Sequence, residues 1–163
     1  MRVLVIFLAI MVSVKVYAKS VSDEIIDCVM KASKRYSVPS ELILAIIDVE
    51  SGFHPYALNV AGKSMFFESE EEAIKKVKEL GSSKKSFDIG LTQINRWWFE
   101  KYGYSYEFGL NVCFNINFGT YILAYEINRN GYNWDAIGKY HSKKERRKQE
   151  YALKVWERMK RLK

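Results

Sequence analysis

At 163 residues the chain is long enough for one domain with a real core, and nothing in it reads as a long linker. Its two histidines and two cysteines are scattered without ligand spacing, so no metal site and no other cofactor is expected. The formal charge of +7 is uneven: from Lys139 to Lys163 eleven Lys and Arg face three Glu, a local +8, so the positive charge sits almost wholly in the tail.

Arg2 is followed by an apolar run from Val3 to Val14 and then by Val16-Tyr17-Ala18, the outline of a secretory signal cleaved after Ala18. The run is too short for a comfortable transmembrane span; an uncleaved anchor is the alternative, and Lys15 lies close to the cleavage site. The expected organisation is a signal peptide over 1–18 and a single domain over 19–163.

Ser22 caps a helix running to about Tyr36, with Asp23 and Glu24 in the first turn, where the helix dipole favours anions. Val38-Pro39 breaks it, and Pro39 or Ser40 starts a second helix, SELILAIIDVESG. From Leu42 to Val49 only Asp48 is polar, so this helix is buried nearly all round. Gly52 stops it and Pro55 prevents its resumption, which delivers Glu50 to the helix end, where a cleft would open. Burial disfavours the charged form of a carboxyl group, and a Glu in such a place can give a proton and later take one back. A solvated or paired Glu is the commoner use of a helix end.

Residues 55–67 carry no helical period and contain Asn59 and Gly62, so they read as a loop or a short hairpin. Ser69-Glu70-Glu71-Glu72 is a capping box for a surface helix closing at Gly81, with an apolar edge at Ala73, Ile74, Val77 and Leu80. Glu71 with Lys75 and Glu72 with Lys76 are its i,i+4 pairs. From Asp88 to Asn95 an extended backbone puts Leu91, Gln93 and Asn95 on one side and Gly90, Thr92 and Ile94 on the other. Gln and Asn each offer a donor and an acceptor, which suits sugar hydroxyls and N-acetyl groups, and Gly90 permits close approach of a backbone or a ligand. Residues 97–106 are dense in rings, a composition shared by sugar platforms and, more often, by cores.

A helix from about Val112 to Arg129 ends at Asn130-Gly131, and Asn133 caps another beginning at Trp134. Residues 138–142 break the pattern, and a basic helix from about Lys144 to Arg161 closes the chain with Tyr151, Val155, Trp156 and Met159 on one face. No β-sheet of any size is suggested, so the expected fold class is all-α. Cys28 shares an apolar stripe with Ile25, Val29, Ala32 and Tyr36, and Cys113 shares one with Ile116, Thr120, Leu123 and Ile127. In an exported chain the even count suggests one disulfide, with two buried free thiols as the alternative.

Four stretches, AIIDVESGFHPYALN, DIGLTQIN, CFNINFGTYILA and WDAIGKYHS, followed by Tyr151 and Val155, stand in the order and spacing of a known family. Over roughly Cys28 to Met159 the chain resembles the lytic transglycosylases of the soluble lytic transglycosylase, goose-lysozyme-like superfamily. It is most similar to the small periplasmic members associated with type III or type IV secretion or conjugation. The resemblance implies a lysozyme-like helical domain with a groove for a peptidoglycan glycan strand, a periplasmic location and a monomer. It makes Glu50 the only catalytic carboxylate and places Ser51, Gln93 and Tyr140 beside the reacting sugars; with Thr92, Asn95 and His141 added from the stretches around Gln93 and Tyr140, these are the expected substrate-binding residues.

The implied reaction cleaves the bond between N-acetylmuramic acid and N-acetylglucosamine with closure of a 1,6-anhydro ring. Most glycosidases use two carboxylates. Asp48 lies about 200° round the helix from Glu50 and cannot share its cleft, while Asp88 is a candidate only at second remove. The chain departs from the family pattern at Thr92, where many members have Met, and at His141, where Asn usually follows the Tyr. A lysozyme-type hydrolase and a non-catalytic glycan-binding assembly protein of a secretion system are the competing readings. The run 143–148 looks like a nucleic-acid patch, but an exported protein does not meet nucleic acid. A solvated helix face is the default there, with acidic wall peptides, anionic lipid or a secretion component as the secondary partners.

Overall fold

A computed structural model describes residues 21–162, so the signal segment expected over 1–18 lies outside the described residues. The helices are α1 (Asp23–Tyr36), α2 (Ser40–Ser51), α3 (Glu70–Gly81), α4 (Arg96–Tyr102), α5 (Val112–Asn130), α6 (Trp134–His141) and α7 (Glu145–Arg161). Strands β1 (Ala57–Val60), β2 (Lys63–Phe66), β3 (Phe87–Ile89) and β4 (Ile94–Asn95) complete a mainly helical fold. None of the described helices is long and apolar enough to cross a membrane.

The expected caps form. The Ser22 hydroxyl accepts from the Ile25 amide, Ser69 from Glu72, and the Asn133 side chain from Ala136. Gly52 ends α2 in the left-handed conformation, its amide bonded to the Asp48 carbonyl.

Two apolar cores divide the molecule. One joins α1, α2, α5, α6 and α7 through residues such as Val29, Leu42, Ile46, Ile116, Leu123, Ile137 and Val155. The other joins the sheet, α3, α4 and α5 through Leu58, Val77, Phe87, Ile94, Phe99, Phe118 and Ile122. Helix α5 serves both, facing one with Ile116 and Leu123 and the other with Phe118 and Ile122. Cys28 of α1 and Cys113 in the first turn of α5 form a disulfide across 85 positions, with their Cα atoms 5.1 Å apart.

The short hairpin, one reading of residues 55–67, forms as β1 and β2, and β3 and β4 extend it into a small sheet that the sequence did not suggest. It is antiparallel in the order β2-β1-β3-β4. Strands of two to four residues are too short to display alternation, which is why the pattern hid them. The hairpin β1–β2 turns at Ala61 and Gly62, both at positive φ, while the Asn59 side chain accepts from the Gly62 amide.

The stretch 88–95 is not one extended segment. It folds back between β3 and β4, with Gly90 at φ 77° and Gln93 at φ 48°. A side chain at Gly90 would collide with the Gly109 carbonyl and the Asn115 amide, so the close approach allowed by that glycine is made by the protein's own backbone.

One helix was not foreseen, and four further expectations fail. Residues 96–102 form α4, opened by the Asn95 side chain accepting from the Trp97 amide. Helix α6 runs through Gly138 to His141, and Gly138 is there because Lys148 and its backbone leave no room for a side chain. Lys148 is buried rather than solvated and bridges Asp135 and Glu145, tying α6 to α7. Trp156 lies outward beneath the Lys160 ammonium, and Lys76 pairs with Glu79 rather than Glu72.

Candidate active site

A cleft of about 750 Å³ opens between the two cores. Its lining includes Glu50 from α2, Tyr140 and His141 from α6, Asp88, Gln93 and Asn95 from the sheet region, and Trp97, Trp98 and Lys101 from α4. Four of the six residues expected to bind substrate, Gln93, Asn95, Tyr140 and His141, therefore gather with Glu50.

The apolar positions of α2 run to Val49, next to Glu50, whose side chain is left 11% exposed. His141 Nδ1 lies 3.7 Å from Glu50 Oε1, and the imidazole stacks on the Tyr151 ring with centroids 4.7 Å apart and planes 5° apart. The carboxylate beside it holds the His141 pKa above the usual histidine value, against the opposing effect of burial. Asp48 is turned away and pairs with Arg158.

Two phenols floor this side, Tyr151 buried and Tyr140 half-buried. The Tyr140 hydroxyl donates to the Thr92 carbonyl at 2.7 Å, and its ring packs against both cores. Burial, and then the Glu50 charge, raise the pKa of Tyr140, and the same two causes raise that of Tyr151 far above an ordinary phenol, so both keep their protons. Among the described residues the Tyr151 hydroxyl has no hydrogen-bond partner at bonding distance, although it lies near enough to Glu50 for the carboxylate to affect its titration.

On the opposite wall Asn95 donates to Asp88 Oδ1 at 2.7 Å and to the Ser86 hydroxyl at 3.0 Å. Burial raises the Asp88 pKa, and the hydrogen bond from Asn95 opposes that shift. The Gln93 side-chain amide donates to the Ala57 and Gly90 carbonyls, locking the left-handed backbone that carries it.

Two expected ligand contacts are not in the cleft lining. The Ser51 hydroxyl is buried and donates to the Ile47 carbonyl one turn back. Thr92 is 2% exposed, and both its amide and its hydroxyl donate to Asn115. Asn115 was not singled out from the sequence, yet its side chain joins the lobes: besides Thr92 it reaches the Ile89 and Gly109 carbonyls at 2.9 and 2.8 Å. An Asn in the middle of an otherwise apolar helix face was the available signal. Among the described residues no group of three His, Cys, Asp or Glu could hold a metal ion.

Residues 27–159 match the transglycosylase SLT domain, and the chain belongs to that family. Its fold is thus the lysozyme-like helical one of that domain. Among curated relatives, the type IV secretion system protein virB1 of Brucella abortus is 36% identical over 89 residues, 53% of this chain and 37% of the relative. Protein IpgF of Shigella sonnei is 29% identical over 140 residues, 81% of this chain and 78% of the relative. The invasion protein IagB of Salmonella typhimurium is 28% identical over 156 residues, 91% of this chain and 84% of the relative. The chain spans little more than a third of virB1 but most of the other two.

Proposed function

We propose that this protein is a peptidoglycan lytic transglycosylase with Glu50 as its only acid and base. The observation that carries the reading is the setting of Glu50: a nearly enclosed carboxylate at the end of a rigid apolar helix, opening on a cleft and flanked by Tyr140, Tyr151 and His141.

Glu50 donates its proton to the glycosidic oxygen between N-acetylmuramic acid and N-acetylglucosamine as the bond from that oxygen to C1 breaks. The carboxylate so formed takes the proton of the muramoyl C6 hydroxyl, whose oxygen bonds to C1 and closes the 1,6-anhydro ring. Glu50 ends as it began, and no water enters. Gln93, Asn95, Tyr140 and His141 are the residues placed to orient the sugars, with Ser51 and Thr92 acting from the interior through the backbone they hold.

A lysozyme-type hydrolase is the second reading, favoured by one observation: Asp88 also lines the cleft, with a pKa raised by burial. Mass spectrometry of soluble products from purified wall decides between them. Products one water lighter than hydrolytic muropeptides, absent with Glu50→Gln and still formed by Asp88→Asn, are expected. Reducing-end products dependent on Asp88 would establish the hydrolase. Binding without products would make the protein a non-catalytic assembly factor.

We further propose export through a signal over 1–18, read from the apolar run Val3 to Val14, and a periplasmic single domain over 19–163; the name of the virB1 relative supports local opening of the wall for a secretion or conjugation apparatus. The basic α7 is the surface offered to that apparatus or to an anionic membrane.

A further inference from the structure

Sugar chemistry at Glu50 does not use the positive charge in the cleft wall. Four cations line it, and Lys139 is committed to Asp135 and Asn130. Among the described residues, Lys101, Lys143 and Arg147 have no carboxylate within ion-pair distance. Arg147 lies close enough to His141 for its charge to oppose protonation there. The same lining holds the carboxylates of Glu50, Asp88 and Glu126, but none of them is in an ion pair with these three cations, and Arg147 stands on the His141 side of the cleft.

Lys101 is the most defined of the three. Its ammonium lies 4.9 Å from the centroids of both Trp97 and Trp98, 5.3 Å from that of Tyr102 and 5.4 Å from that of Tyr125. Three of the rings come from its own helix α4, and α5 brings the fourth. Aromatic faces attract a cation but do not neutralise it. They also reduce the side-chain freedom that a surface lysine otherwise loses on meeting a ligand. The result is an exposed, positioned charge with no ion-pair partner among the described residues, beside Trp97 and Trp98 in the same wall.

Wherever a stem is attached, the muramoyl lactyl group is tied up as an amide, and the sugar chain itself then offers such a charge only dipoles. The intact wall polymer carries peptide stems, and their acidic residues and C-termini supply carboxylates flanking the glycan. We propose that Lys101, caged by four rings, receives a carboxylate of a peptide stem, with Lys143 and Arg147 extending the same field, so that the cleft selects peptide-bearing glycan over uncharged glycan. This rests on the reading of the cleft as a peptidoglycan site.

The test is read in binding, so it does not depend on cleavage. Calorimetry with the Glu50→Gln protein compares soluble peptide-bearing glycan oligomers with the same oligomers after an amidase has removed their stems and the lactyl carboxylates so exposed have been capped as methylamides. The peptide-bearing oligomers are expected to bind about three- to tenfold tighter, a charge-assisted contact's share of affinity, and the preference shrinks as salt is added. In that background Lys101→Met, which keeps the stem against the rings, loses most of the preference, and Lys101→Arg retains it. No preference in the Glu50→Gln protein, or equal weakening of both ligands by Lys101→Met, overturns the proposal. Failure of the transglycosylase reading would appear elsewhere, as missing anhydro products from the wild-type protein.

Discussion

The two walls of the cleft are built in different ways. The helical wall carries Glu50, Tyr140 and His141 on elements packed into a continuous apolar core, and a disulfide joins two of that core's helices, α1 and α5. The sheet wall carries Asp88, Gln93 and Asn95 on strands of two or three residues and on the turn between them. Side-chain hydrogen bonds rather than strand length set its shape, chiefly those of Asn115, Gln93 and Asn95. The proposed reactive groups stand where displacement is costly, and the proposed recognition groups stand where the backbone is shaped residue by residue.

The sharpest way to break this division is Glu50→Gln. It is expected to lower peptidoglycan cleavage by at least about 10²- to 10⁴-fold while leaving thermal unfolding close to wild type. Residual activity above that range would move the chemistry to the sheet wall. Replacing both Cys28 and Cys113 by Ala tests the helical wall. Loss of a cross-link over 85 positions is expected to cost about 4 kcal/mol of stability on the chain-entropy account, read as a lower denaturant midpoint.

Asn115→Ala tests the sheet wall, because it strips partners from the buried Thr92 amide and from the Ile89 and Gly109 carbonyls. A loss of about 2 to 3 kcal/mol is expected, with cleavage falling before helical circular dichroism does. A drop in helicity at the same midpoint would mean that the two walls unfold as one.

The smallest expected effect is His141→Asn. The Glu50 carboxylate raises the His141 pKa, so the folded form holds the imidazole proton more tightly than the unfolded chain does. The pair therefore stabilises the protein below about pH 6.5, and that contribution disappears as pH rises through the raised value. With His141 46% exposed, solvent screening limits it to about 0.5 kcal/mol. Melting temperatures of the two proteins should differ at about pH 5.5 and converge by about pH 9. Equal differences at both would sink the electrostatic account.

The helical wall was largely legible in the sequence because long helices announce themselves: the caps at Ser22 and Asn133, the apolar run of α2 and the stop at Gly52 each follow from local chemistry. The sheet wall was not, since β3 and β4 are shorter than any period. The turn between them needs a left-handed Gln93, a conformation that nothing in its residue type announces. The apolar run of α2 pointed to Glu50 and motif order to Tyr140, both of which line the cleft, whereas Lys101 follows Trp97 and Trp98 at i+4 and i+3, and that spacing was overlooked among the rings.

Gly119 of α5 gives one detail a longer reach. A side chain there would run into Thr92, whose hydroxyl is bonded within the same crowded space to Asn115. Thr92 departs from the Met common in similar proteins, and the volume around it is already allotted to Gly119, Asn115 and Tyr140. Introducing Met by a single substitution would thus bring a longer side chain into a place shaped for threonine.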